Sequence, residues 1–121
     1  MGLDKSEKLQ DQLIQYLTEL VHINSVNPDL STEGQEEREI AEYVSRHFHQ
    51  LGIPTQVHTI NGDRCNTTAF LKGASPGKIL LMNGHLDTVG IEDMTDPFNL
   101  RKDGDKLYGR GTYDMLAGCA V

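Results

Sequence analysis

The chain has 121 residues, with 11 Lys plus Arg against 18 Asp plus Glu and a formal net charge of −7. That length sustains one modest core, which excludes a complete enzyme with a separate lid domain. At 37% hydrophobic and 24% charged, the composition is that of an ordinary globular chain. Its scattered basic residues give neither a nucleic-acid face nor a basic membrane-binding stripe.

At the N-terminus, Asp4, Lys5, Glu7 and Lys8 leave no apolar core for a signal peptide, so the expected location is cytoplasmic. Behind the capping-box pattern Asp4-x-x-Glu7, apolar residues recur at helical spacing: Leu9, Leu13, Tyr16, Leu17, Leu20 and Val21. They predict a helix over about 5–23. Residues 24–31, with Pro28 among them, read as a loop. A second helix is expected to open at Thr32-x-x-Gln35, to carry Ile40, Tyr43, Val44, Phe48 and Leu51 on one face, and to stop at Gly52 before Pro54. On that reading Glu36-Glu37 belongs to a solvated helix face.

From Ile53 the period falls to two. Ile53, Thr55, Val57 and Thr59 alternate with Gln56, His58 and Ile60, and Asn61-Gly62 suits a reversal into a partner strand at 67–72. After a turn at 73–77, residues 78–83 form an apolar run of the kind found in a strand buried on both faces. Its aliphatic centre, 79–82, is the longest such run and far too short to span a membrane. A further hairpin is expected over 100–107 around Asp103-Gly104. Residues 115–121 begin an apolar, helix-compatible segment without a stop signal, as if the chain were cut inside an element. Helices followed by strands, one of them fully buried, indicate an α/β layered domain.

Cys65 and Cys119 have no C-x-x-C spacing, so neither a disulfide framework nor a thiolate zinc site is indicated, and the sequon Asn66-Thr67-Thr68 is read as chance. Chemistry concentrates in two motifs. The first is Gly84-His85-Leu86-Asp87-Thr88-Val89, directly after the apolar run and so at the strand end where α/β sites lie. In an extended backbone Asp87 projects to the same side as His85, as a carboxylate holding the second nitrogen of a metal-bound imidazole does. A surface hydrogen-bonded pair is the other reading of the same spacing.

The second motif is Leu107-Tyr108-Gly109-Arg110-Gly111-Thr112-Tyr113-Asp114-Met115. Asp114 stands where a dinucleotide fingerprint needs its third glycine, and a carboxylate there would repel pyrophosphate. Two glycines before an Asp permit a backbone path that aims one carboxylate, and a carboxylate can bridge two divalent cations. A glycine turn followed by a helix-capping Asp remains open. Arg110 is expected to pin its own loop through a neighbouring acid, Tyr113 to pack, and His22, His47, His49 and His58 to sit at surface or boundary positions.

Together the two motifs, with Asp96-Pro97-Phe98 and Asp103-Gly104 between them, resemble the zinc-dependent amidohydrolases that include aminoacylase, acetylornithine deacetylase, succinyl-diaminopimelate desuccinylase and carboxypeptidase G. The resemblance runs over the whole chain and is most specific between Leu81 and Met115. It implies that residues 1–121 are the N-terminal portion of a zinc-peptidase-like catalytic domain with helices packed on a mixed sheet, without the lid and dimerisation domain or the C-terminal catalytic half. It also implies His85 as ligand of one metal ion, Asp114 as the carboxylate bridging two, Asp87 as the residue orienting His85, and a cis peptide between Asp114 and Met115.

The implied cofactor is a pair of Zn2+ ions, with Co2+ or Mn2+ as substitutes, activating water for attack on the amide of an N-acyl amino acid or small peptide. The nearest type is acetylornithine deacetylase, and the complete protein would be a possible homodimer. The family's Glu-Glu base pair, a further carboxylate and a late histidine cannot be placed in this chain. Where the family usually continues Asp-Met-Lys-Gly-Gly, this chain has Asp114-Met115-Leu116-Ala117-Gly118, and Leu116 replaces a cation. The competing reading is a non-catalytic interaction or regulatory module on the same scaffold.

Overall fold

The computed structural model describes residues 4–121; the first three residues of the stretch read as lacking a leader lie outside the described residues. The first helix, α1, spans Lys5–His22. Its capping box forms: the Glu7 N–H donates to the Asp4 side chain and the Asp4 N–H donates to Glu7 Oε2 at 2.9 Å. The periodic stripe delivers Leu17, Leu20 and Val21 to the core, while Leu9 stays exposed near the open end of the helix.

The second helix, α2, spans Arg38–Gln50 and so begins well after Thr32. The loop before it has already taken the donors a helix would need. The Gln35 N–H donates to the Val26 carbonyl at 3.2 Å, the Glu33 N–H to Ser31 Oγ at 3.2 Å, and Glu36 adopts φ +66°. Gly34 passes so close to the Pro28 backbone that a Cβ would overlap it. The helix ends as expected, with Gly52 at φ +74° after the C-cap Leu51.

Strands β1 (Thr55–Asn61) and β2 (Arg64–Ala69) form an antiparallel hairpin. Asn61 pairs with Arg64 across a two-residue loop, Gly62-Asp63, with Gly62 at φ +56°. Glycine at that first loop position suits the type II′ turn whose twist matches a hairpin. The reversal is tighter than Asn61-Gly62 suggests, so β2 starts at Arg64 rather than Thr67. Val57, Cys65 and Thr67 share the inner face, and the Thr67 hydroxyl donates to the Ala41 carbonyl of α2 at 2.7 Å. Ala41 is small and buried, which allows that approach.

A second hairpin joins β3 (Arg101–Asp103) to β4 (Lys106–Tyr108) through Gly104-Asp105, with Gly104 at φ +61°. The short helix α3, Leu116–Ala120, comes last. Leu116 closes the core against Leu17, Leu20, Val21 and Ile40.

The chain is thus mixed α/β, with its strands in two separate antiparallel hairpins. Residues 78–83 correct the expectation of a buried strand: they form none, and Ile79, Leu80, Leu81 and Met82 are 83–85% exposed. A central strand exists only where neighbours supply its hydrogen bonds. Each described strand is paired within its own hairpin, and none lies alongside this run. Among the described residues no helix is long and apolar enough to cross a membrane.

Candidate functional site

His85 and Asp87 lie just beyond the exposed apolar run and are held in place through Thr88, the next residue in the chain. Thr88 makes an isolated parallel bridge with Val26: its N–H donates to the Ser25 carbonyl at 2.9 Å and its carbonyl accepts the Asn27 N–H at 2.8 Å. Ser25, Val26 and Thr88 are buried, so the loop after α1 anchors the first motif.

The glycines of the second motif bring Asp114 to it. Gly111, at φ +81°, lies where an added Cβ would come within 2.7 Å of Thr88 Cγ2 and 2.8 Å of Leu116 Cδ1. An added Cβ on Gly109 would come within 2.8 Å of Val21 Cγ1. Only glycine lets this turn rest on the core and on Thr88 at once. Beyond it the Asp114–Met115 peptide is cis. Met115 and Cys119 complete the support, with the His85 N–H directed at Met115 Sδ (3.4 Å) and Cys119 Sγ donating to the His85 carbonyl (3.4 Å). Burial pushes the Cys119 thiol above its ordinary value, which keeps it protonated.

The three residues singled out in the sequence converge. His85 Nε2 is 2.9 Å from Asp114 Oδ1, and on the other side of the ring Nδ1 is 3.2 Å from Asp87 Oδ1 and 3.1 Å from the Asp87 carbonyl. Partial burial opposes charge on this imidazole. The hydrogen bond to Asp114, the Asp87 carbonyl and the two carboxylate charges outweigh it and hold the ring above its ordinary value.

The donor set suits zinc: an imidazole nitrogen and a carboxylate oxygen are ordinary zinc ligands. Two such ligands on one tetrahedral ion stand about 3.3 Å apart. Nε2 and Oδ1, at 2.9 Å, are in hydrogen-bond contact and lie closer than that by roughly 0.4 Å. Among the described residues no group of three or more His, Cys, Asp or Glu is arranged to hold a metal, so the pair is a partial set.

The remaining residues divide. Arg110 does pin its loop, donating to Asp93 Oδ1 at 2.6 Å. Tyr113 is 98% exposed and packs against nothing, contrary to expectation, because the turn that brings Asp114 to His85 turns its neighbour out to solvent. The four other histidines stay away from the site; His47 stacks edge-on against Tyr16 and His58 bonds Thr68. Leu116, where the resemblance leads to Lys, is 1% exposed and belongs to the core.

Glu36-Glu37 is not a solvated helix face. It precedes α2, Glu36 accepts the Asp63 N–H at 2.7 Å, and Glu37, 6% exposed, accepts Arg64 Nε at 2.7 Å. Asn27 lies outside both motifs and was not expected at the site, yet its Nδ2 donates to Asp87 Oδ2 at 2.9 Å. Asn27-Pro28-Asp29 is a local turn signal, but nothing in it points across the chain to Asp87.

Comparison with known proteins finds relatives over most of this chain. The chain is 33% identical over 113 residues to "Probable succinyl-diaminopimelate desuccinylase" of Staphylococcus aureus (strain MRSA252), covering 90% of this chain and 26% of that protein. It is 34% identical over 93 residues to the protein of the same name from Staphylococcus epidermidis (strain ATCC 12228 / FDA PCI 1200), covering 74% and 22%. With "Acetylornithine deacetylase" of Erwinia tasmaniensis it shares 31% identity over 105 residues, covering 84% and 27%. The chain spans about a quarter of the length of these curated relatives. The model of "Peptidase family M20/M25/M40" matches residues 81–121, the stretch that holds His85, Asp87 and Asp114. Residues 81–121 therefore carry a segment of Peptidase family M20/M25/M40.

Proposed function

We propose that the chain supplies part of the metal centre of a hydrolase that cleaves the amide bond of an N-acyl amino acid or small peptide. The observation that carries this reading is the convergence of His85 Nε2 and Asp114 Oδ1 at 2.9 Å, with Asp87 on the opposite ring nitrogen. His85 would hold one ion, Asp114 would be the carboxylate shared between two, and Asp87 would hold the imidazole with Nε2 left to the metal. Zinc is the expected metal, with Co2+ or Mn2+ as substitutes; when bound it supplies an activated water near neutral pH and polarises the scissile carbonyl. Gly109 and Gly111 give the turn that presents Asp114, and the Arg110–Asp93 pair holds that turn in place.

The relatives' printed names, one for a desuccinylase and one for a deacetylase, share hydrolysis of an N-acyl group and support that substrate class here, including the acetylornithine deacetylase type. The free thiols of Cys65 and Cys119 suit a reducing, cytoplasmic setting. Homodimerisation belongs to this reading only for a longer protein.

A structural zinc site uses four protein ligands and a catalytic one three, and His85 with Asp114 offers two. The 121-residue chain by itself is therefore expected to bind Zn2+ weakly and to hydrolyse nothing measurable. Calorimetric titration with Zn2+ and an assay on N-acetylornithine and N-succinyl-diaminopimelate check this; tight uptake of two ions with turnover would refute it. In a longer protein containing this segment, His85→Ala and Asp114→Asn should each abolish hydrolysis along with metal content, and retained turnover in either variant would remove the proposed roles.

A further inference from the structure

Asp87 is gripped from outside both motifs. Its Oδ1 faces His85 Nδ1 at 3.2 Å, and its Oδ2 accepts from Asn27 Nδ2 at 2.9 Å, across a separation of 60 residues in sequence. The Asn27 amide has only one orientation open to it. Its Oδ1 accepts the Asp29 N–H at 2.9 Å and faces Arg64 Nη1 at 3.4 Å. Both neighbours are obligate donors, so turning the amide over would set its NH2 against them and an oxygen against the Asp87 carboxylate.

The surroundings of Asn27 are equally fixed. Its backbone N–H donates to Thr88, the residue after Asp87, so the two side chains sit on facing segments of one bridge. Arg64 is anchored in turn by Glu37 at 2.7 Å and Asp29 at 3.2 Å. A chain of polar contacts thus runs from the buried Glu37 through Arg64, Asn27, Asp87 and His85 to Asp114.

We propose that Asn27 is a positioning residue of this site: its locked amide holds Asp87, so that Asp87 engages the Nδ1 side of His85 and leaves Nε2 as the nitrogen that takes a metal ion. The inference rests on the metal reading of His85 and Asp114. It makes the loop after α1, which carries no ligand, part of the site's construction. Outer partners of a ligand typically contribute 10- to 100-fold in metal affinity, and Asn27 stands one contact beyond Asp87, so about tenfold is expected.

The test compares Asn27→Asp with Asn27→Ala in the full 121-residue chain, titrating Zn2+ alone and reading the His85 ring by long-range 1H–15N spectra. Asn27→Asp keeps the oxygen that accepts from Asp29 and Arg64, and with it the turn, but opposes Asp87 with a second carboxylate. Both variants should need about tenfold more Zn2+ for half-saturation and should lose exclusive binding through Nε2, with the amide signals of the β3–β4 hairpin unmoved. A role limited to shaping the loop predicts that Asn27→Asp titrates like the parent chain; that result, or an unchanged midpoint in both variants, overturns the inference.

If neither variant folds, the parent chain decides. Zinc on Nε2 with the Nδ1 proton retained supports the proposal, and zinc on Nδ1 overturns it. A folded parent chain whose His85 ring ignores Zn2+ would instead remove the metal reading itself.

Discussion

Tyr43 of α2 donates its phenolic proton to Glu19 of α1 and so ties the two helices at the edge of the core. That hydrogen bond, joined by one from Gln15, lowers the Glu19 pKa below its ordinary 4.5, and burial with the Glu19 contact pushes the Tyr43 phenol up. A carboxylate depressed on folding stabilises the fold at pH values above its ordinary range, and loses that contribution as pH falls through the folded value. Tyr43→Phe should therefore destabilise the chain by roughly 0.5–1 kcal/mol near pH 7, the lower end applying if solvent screens the pair. The deficit should shrink below about pH 4. Urea unfolding of both chains at several pH values measures it, and a deficit independent of pH would show that Tyr43 acts through packing alone.

Among the elements, the glycine turn before α3 does the most to build the site. It connects β4 to a helix whose first residue, Leu116, is in the core, and it must pass Thr88 on the way. Gly111→Ala should fail on two grounds: φ +81° disfavours any residue with a Cβ, and that Cβ would lie 2.7 Å from Thr88 Cγ2. A positive φ at a non-glycine residue costs on the order of 1–3 kcal/mol, and relieving the overlap adds to it. Thermal unfolding should show the loss, and the His85 ring signals should shift because the segment bearing Asp114 moves. A Gly111→Ala chain of parent stability would mean that the turn has another path. At the two hairpins Asn61-Gly62 and Asp103-Gly104 made reversal visible in sequence, one residue ahead of the observed Gly-Asp loops. The start of α2 was not visible, because its first donors go to a loop defined by contacts with Pro28 and Val26.

For the whole molecule, the notable feature is the apolar run 79–82, open to solvent in a chain whose core is built by α1, α2 and α3. An exposed residue contributes little to folding, so Leu81→Lys should change the stability of this chain by no more than about 0.5 kcal/mol. It should also reduce binding of a hydrophobic dye, because it interrupts a contiguous apolar patch. Urea midpoints and dye fluorescence check both statements. A loss above about 1 kcal/mol would place Leu81 in a packed interior instead.

The sequence alone determined what depends on neighbours along the chain: the period and capping of α1, the stop of α2 at Gly52, the positions of both hairpin turns, and the residue types of the two motifs. It also supplied the approach of Asp87 to His85, from their spacing, and the role of Asp114 beside them, through resemblance. Only the tertiary structure decided that Glu37 is buried on Arg64, that Asn27 reaches Asp87, that Tyr113 points outward, and that residues 78–83 have no strand partner among the described residues. The reason is physical. Helical period, caps and glycine turns are set by residues within a few positions of one another. A hydrogen bond across 60 residues, or the pairing of a strand, exists only where folding brings the second partner.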